Sequence, residues 1–88
     1  MRSLLIFIML AAATPAFAGP QCTSEPASKW LPKDELVKKI VATEGYKVDV
    51  FKVTDGNCYE LYGRDKSGKR IEIYYNPIDA AVVKSTAR

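Results

Sequence analysis

The chain has 88 residues, with two cysteines and no histidine. Thirteen lysines and arginines against ten aspartates and glutamates give a formal charge of +3. A chain this short holds one small domain. The basic residues are interspersed with acidic ones and form no stripe that could follow a phosphate backbone, so we expect no nucleic-acid partner.

The first 18 residues have the parts of a secretory signal peptide. Arg2 precedes the apolar stretch 4–13, and Ala16 and Ala18 are the small residues of an Ala-x-Ala cleavage site. The stretch is much shorter than the roughly 20 apolar residues that a membrane-spanning helix needs. We therefore predict cleavage after Ala18 and export of a mature chain of 88 − 18 = 70 residues, with no stable membrane insertion after cleavage.

Residues 19–29 are rich in Pro, Ser, Thr and Ala, and we expect an extended N-terminal arm that carries Cys22. Cys58 is the other cysteine of the chain. A domain of this size usually needs a covalent cross-link, and exported proteins mature in an oxidising compartment. A metal or redox pair would call for close CxxC spacing or a histidine. We predict a structural disulfide between Cys22 and Cys58.

An amphipathic helix is predicted over about residues 32–44. Pro32 suits its first turn, Asp34 and Glu35 put negative charge at its positive end, and Gly45 can end it in a left-handed conformation. Four apolar residues share one face at helical spacing. They are Leu36, Val37, Ile40 and Val41.

The first strand, about residues 46–54, has an ambiguous phase. Val48 and Val50 alternate regularly, but Phe51 and Val53 fall in the opposite phase. A bulge near Val50-Phe51 would put both sets against the helix. Alternatively, the strand stays regular and exposes one set.

Two further strands, 57–63 and 70–75, alternate apolar and polar side chains, as expected for a sheet covered on one face. The opposite side, which we call the Glu/Tyr face, consists of Glu60, Tyr62, Glu72 and Tyr74. A solvated face with cross-strand pairs is the simpler interpretation, and a binding site is the other. A turn at 76–79 precedes a short strand at 81–83 and a frayed tail at 85–88.

The predicted fold is therefore α+β. One N-terminal amphipathic helix packs on one face of a three- to four-stranded antiparallel sheet, and one disulfide cross-links the domain.

Several segments together resemble PepSY-like domains of exported bacterial proteins. They are Gly45-Tyr46 after the helix, Gly56 to Gly63, Asp65 to Lys69, and Glu72 to Pro77. The resemblance covers about residues 30–84, which we take as the domain. Ala80 stands where such domains usually have glycine. Because a Cβ disfavours positive φ, we expect this turn to be remodelled.

The resemblance implies a periplasmic or secreted binding module that restrains or regulates a peptidase or another envelope protein, whose identity it does not give. It brings no catalytic residues. The chain lacks the usual proton shuttle, and its serines have no recognisable base beside them, so we predict no enzyme activity, no cofactor and no metal site. The alternatives are a small-ligand or cation-responsive accessory protein that uses the Glu/Tyr face, and a structural accessory without a discrete site.

Overall fold

The computed structural model describes residues 19–87, and the predicted signal peptide lies outside this range. The described elements are a turn of 3-10 helix at Ala27–Lys29, helix α1 at Lys33–Glu44, and strands β1 at Lys47–Val53, β2 at Tyr59–Arg64, β3 at Arg70–Tyr75 and β4 at Val82–Ala87. The strands form one antiparallel sheet in the order β1-β2-β3-β4. The predicted α+β fold is confirmed.

Helix α1 ends where the sequence predicted, but its buried stripe is narrower. Gly45 has a φ of 68°, and its N–H donates to the carbonyl of Val41 at 3.0 Å. Leu36 and Ile40, four residues apart, are buried, whereas Val41 is 44% exposed. The helix therefore packs on the sheet mainly through Leu36 and Ile40, because the small sheet has room for only about one turn of helix.

The core lies between α1 and the apolar face of the central strands. It comprises Leu36, Ile40, Tyr59, Leu61, Ile71, Ile73 and Tyr75. Trp30 packs edge-on against Tyr59 with ring centres 5.7 Å apart, and the Tyr59 hydroxyl donates to the carbonyl of Leu31 at 2.6 Å. These two contacts fix the segment that leads into α1 against the sheet.

Strand β1 contains a bulge, slightly earlier than the sequence predicted. The pairing with β2 shifts between Val48 and Val50, which makes Asp49 the extra residue. Val48 and Phe51 both pack against the core. Val50 instead lies opposite Tyr62 and is 45% exposed. The bulge thus puts Val48 and Phe51, which have opposite phases in the sequence, on the same face of the sheet. It leaves Val50 on the other face.

The turn before β4 is not remodelled, contrary to our expectation. Ala80 itself takes the left-handed conformation, with a φ of 64°. The N–H of Ala80 donates to the carbonyl of Asn76, and the N–H of Asn76 donates to the carbonyl of Ala81, both at 2.8 Å. These bonds hold the conformation that glycine would adopt without strain. The following strand is also longer than predicted, since residues 85–87, assigned to a frayed tail, pair with β3.

Candidate functional site

The sheet register brings the four residues of the Glu/Tyr face together. Glu60 of β2 lies opposite Tyr74 of β3, and Tyr62 lies opposite Glu72. On β1, Lys52 extends the first of these rows beside Glu60. Because alternate residues of a strand point to opposite sides, all five lie on the sheet face turned away from α1.

The Glu/Tyr face is not uniformly solvated. Glu60 is 3% exposed and Tyr74 8%, Glu72 is half-buried, and Tyr62 is 39% exposed. The N-terminal arm covers part of this face, since Gly19 lies so close to Tyr74 that a Cβ would be 3.0 Å from the hydroxyl oxygen. The simpler interpretation, a solvated face, is therefore wrong for Glu60 and Tyr74. Alternation along a strand does not reveal a segment that crosses over it.

Glu60 is a buried carboxylate with one paired oxygen. Its Oε1 lies 3.7 Å from Nζ of Lys52, while its Oε2 has no hydrogen-bond partner among the described residues. Nζ of Lys52 also lies 5.5 Å from the centre of the Tyr62 ring, within cation–π range. A cavity of about 250 Å³ borders Lys52, Glu60, Tyr62 and Tyr74. A buried acceptor without a partner is costly, so one further donor here would stabilise the domain.

The two carboxylates keep the neighbouring phenols protonated. The Tyr74 hydroxyl donates to Oε1 of Glu72 at 2.9 Å. The Glu60 carboxylate, then burial and Glu72, raise the pKa of Tyr74 well above its usual value. The same carboxylates, Glu60 first, raise the pKa of Tyr62 to about 12. At neutral pH both phenols are protonated and can donate hydrogen bonds.

A row of basic residues crosses the same face at its other end. Lys47 lies opposite Arg64, and Arg64 lies opposite Arg70. All three are exposed. They are dispersed in the sequence, so sequence analysis missed this row, and only the strand register could have predicted it. Like charges that face one another directly across strands destabilise a sheet, and an anionic group placed over the row would relieve that repulsion.

The disulfide between Cys22 and Cys58 is present, as predicted. The N–H of Cys22 donates to the carbonyl of Gly56 at 2.9 Å, and the side chain of Asn76 donates to the carbonyl of Cys22 at 3.3 Å. A Cβ on Gly56 would overlap the carbonyl oxygen of Pro20, so the arm approaches as closely as glycine permits. The arm is thus fixed to the sheet by covalent, polar and packing contacts together.

A second concave surface lies on the helix side of the sheet. A cavity of about 410 Å³ separates α1 from β4. Its apolar wall includes Ile40 and Tyr75, and its polar rim includes Lys39, Asp79 and Ser85. Ser85 lies opposite Ile73 in register, and its small side chain leaves room for the groove between α1 and β4. No pattern in the sequence predicts this groove, because it depends on how α1 crosses the sheet.

Residues 19–87 contain neither a helix that could span a membrane nor a cluster of metal ligands. The helix described there is too short and too polar to cross a membrane. In the same part of the chain, His, Cys, Asp and Glu side chains form no group of three or more placed to hold a metal ion.

The helix, the four-stranded sheet and the disulfide together make a small α+β domain. The family model described as "Peptidase propeptide and YPEB domain" (PepSY_2) matches residues 2–86, so the chain belongs to this family. The predicted PepSY resemblance is thereby confirmed. Searches of curated proteins and of solved structures found no match to the chain.

Proposed function

We propose that this chain is an exported, non-enzymatic module that binds a protein of the cell envelope and restrains or regulates it, with a peptidase as the first candidate. Family membership supports the peptidase as partner. The observation that carries the proposal is the position of Tyr62, an exposed aromatic side chain that lies beside the carboxylates of Glu60 and Glu72 and next to a row of basic residues. Aromatic residues in such settings dominate the energetics of many protein interfaces.

The face of the sheet suits a partner better than its edges do. Both edge strands are interrupted: the register shifts between Val48 and Val50 in β1, and between Tyr74 and Tyr75 where β3 pairs with β4. A bulge breaks the ladder of backbone groups that an added strand would need. We therefore place the partner on side chains of the face.

The charges around Tyr62 define the chemistry of the partner. Cavities of about 260 and 300 Å³ flank this residue, and Arg70 borders both of them. Exposed Val50 lies opposite Tyr62 on β1. A partner segment with an apolar or aromatic side chain over Tyr62 and a carboxylate over Arg64 and Arg70 would match this surface. Glu60 and Tyr74, which are buried, position Tyr62 and Lys52 in this arrangement.

The test starts with affinity capture of envelope proteins by the mature, oxidised chain. A retained peptidase is then assayed against increasing amounts of the parent protein and of two variants, Tyr62→Ala and Arg70→Ser. We expect both variants to weaken inhibition at least tenfold, about 1.4 kcal/mol of binding free energy. Lys38→Ser, which removes one exposed charge from α1, is the matched control and should bind like the parent.

Two results would contradict this proposal. A peptidase whose activity is indifferent to excess protein would exclude the inhibitory form, and equal binding by Tyr62→Ala and Lys38→Ser would exclude the face. Substituting Glu60 and Tyr74 would be a poor test, since both are buried and their loss would also destabilise the fold.

The alternative of a small ligand or cation stays a prediction. A ligand that binds only the folded state raises the melting temperature. An unchanged melting temperature in millimolar calcium would argue against a calcium response.

A further inference from the structure

We propose that removal of the signal peptide creates a ligand for the Glu/Tyr face: the α-ammonium group of Gly19 binds beside Tyr74, between the carboxylates of Glu60 and Glu72. The ligand is a primary ammonium supplied by the chain itself. This inference rests on cleavage after Ala18, and it concerns a different part of the face from the partner contacts around Tyr62.

The position of Gly19 carries the inference. An ideal Cβ on Gly19 would lie 3.0 Å from the Tyr74 hydroxyl oxygen and 3.1 Å from two ring carbons. Since the amide nitrogen and a Cβ share the same Cα, standard bond lengths place that nitrogen within about 6 Å of the hydroxyl. Cleavage after Ala18 turns this nitrogen into a charged donor that rotates freely about a single bond. Turning the Cα–C bond by about a third of a turn puts the nitrogen where the Cβ would stand, 3.0 Å from the Tyr74 oxygen.

The cluster beside this position contains a buried acceptor that lacks a donor. Oε2 of Glu60 has no hydrogen-bond partner among the described residues. The described groups around Glu60 include the phenols of Tyr62 and Tyr74 and the ammonium of Lys52, which lies 3.7 Å from the other oxygen, Oε1. A second ammonium would supply three N–H groups, one of them for Oε2 of Glu60.

The Tyr74 hydroxyl links the ammonium to the carboxylates. It already donates its hydrogen to Glu72 and still has lone pairs to accept with. An ammonium that donates to this oxygen polarises the phenol and strengthens its bond to Glu72. Charge-assisted hydrogen bonds of this kind are roughly twice as strong as neutral ones.

The arm holds the ammonium at its site. Cys22, three residues from Gly19, is bonded to Cys58, and its N–H donates to Gly56. So short a tether gives the N-terminus a high effective concentration at the cluster. The missing side chain at position 19 matters as well, because a Cβ would collide with Tyr74. An amine in solution has neither advantage.

Charged groups on all four strands set the pH dependence. Glu60 and Tyr62 come from β2, Glu72 and Tyr74 from β3, Lys52 from β1, and Lys84 of β4 lies opposite Tyr74 in register. The carboxylates favour the charged amine and raise its pKa, while the lysines oppose this. An α-amino group raised above its unfolded value of about 7.7 to 8.0 stabilises the fold fully below that pH, and this contribution is lost as pH rises through the folded pKa.

The test uses the protein exported with its own leader. Intact mass first shows whether the mature chain begins at Gly19. The pH titration of the Gly19 α-carbon resonance then gives the pKa of the amine, in the parent and in Glu72→Gln and Tyr74→Phe. Glu35→Gln, at an exposed position on α1, is the matched control. A form with one extra alanine before Gly19 displaces the ammonium by about 3.8 Å and leaves the face unchanged.

We expect a mature N-terminus at Gly19 and an amine pKa above the usual range of about 7.7 to 8.0. Glu72→Gln, Tyr74→Phe and the extended form should return the pKa toward that range, and Glu35→Gln should leave it raised. A different N-terminus, an ordinary pKa in the parent, or the same raised pKa in the extended form would overturn the inference. Inhibition by the parent in the peptidase assay would be unaffected by that failure, so the two proposals can be judged separately.

Discussion

Loss of the Cys22–Cys58 bond should have the largest effect on stability of any single covalent change. The cysteines are separated by 36 positions. Closing a loop of that length lowers the entropy of the unfolded chain by an amount equivalent to about 4 kcal/mol in the chain-entropy model. A domain of about 70 residues has roughly 3.5 to 10 kcal/mol of stability in total. We therefore expect the reduced protein to be marginal or unfolded at 37 °C.

Urea unfolding of the oxidised and the reduced protein measures this directly. Reduction is preferable to Cys58→Ala as the main perturbation, since Cys58 is fully buried and truncating it would add a cavity. The unfolding free energy should fall by about 4 kcal/mol and the melting temperature by roughly 20 °C. The double variant Cys22→Ala, Cys58→Ala should unfold at the same point with and without reductant. A difference below about 1 kcal/mol between the oxidised and reduced forms would refute the chain-entropy account.

Three further predictions follow from side chains and backbone already described. Asp65 accepts hydrogen bonds from the Ser67 backbone and hydroxyl at 2.9 and 2.7 Å, so Asp65→Ala should lower the urea midpoint. Hydrogen bonds, chiefly from the Ser67 hydroxyl, lower the pKa of Asp65. The contribution of the Asp65 carboxylate to stability is therefore complete above its unfolded pKa of about 3.9 and is lost as pH falls through the lower folded value. If the urea midpoint of Asp65→Ala had the same dependence on acid pH as that of the parent, this account would be contradicted. Burial raises the pKa of Tyr75 to about 12, and Glu60 does the same for Tyr62, so stability should fall as pH rises from about 10 to 12. Absorbance at 295 nm should show one fewer late-titrating phenol in Tyr62→Phe, and an identical curve would argue against the Glu60 effect. Ala80→Gly relieves a left-handed conformation that costs about 1 to 2 kcal/mol. The added freedom of glycine in the unfolded chain offsets about 0.4 to 1 kcal/mol of this, so urea unfolding should show a gain of up to about 1.6 kcal/mol. A loss would mean that the Ala80 methyl contributes more to packing than its conformation costs.

The parts of the fold that were predicted correctly depend on local signals. Gly45 ends α1, turn residues flank β2 and β3, and export makes a disulfide between two lone cysteines the natural expectation. The bulge in β1 was only partly predictable. A strand whose apolar residues change phase indicates a bulge, that is, one residue without a partner on the neighbouring strand. The sequence does not show which residue this is. Here it is Asp49, whose polar side chain suits the exposed position.

The composition of the candidate site was predicted and its environment was not. Alternation placed Glu60 and Tyr74 on one face, yet both are buried because the arm lies over that end of the sheet. The arm has no periodicity, so nothing local indicates its course. Arg64 and Arg70 became neighbours only through the β2–β3 register, which a sequence of dispersed charges does not reveal. Ala80 was misjudged because hydrogen bonds in the turn outweigh its conformational preference.

The position of the disulfide also determines how the domain responds to a mechanical load. The covalent loop from Cys22 to Cys58 contains α1 and β1, whereas β2, β3 and β4 lie outside it. A force applied between the two ends of the oxidised domain passes through the sulfur atoms and cannot extend the enclosed chain. At about 3.5 Å per residue, roughly 120 Å of contour length stays hidden until the bond is reduced. A protease that pulls from the C-terminus would therefore extract β4, β3 and β2 first and then stop at a ring that only a reductant can open.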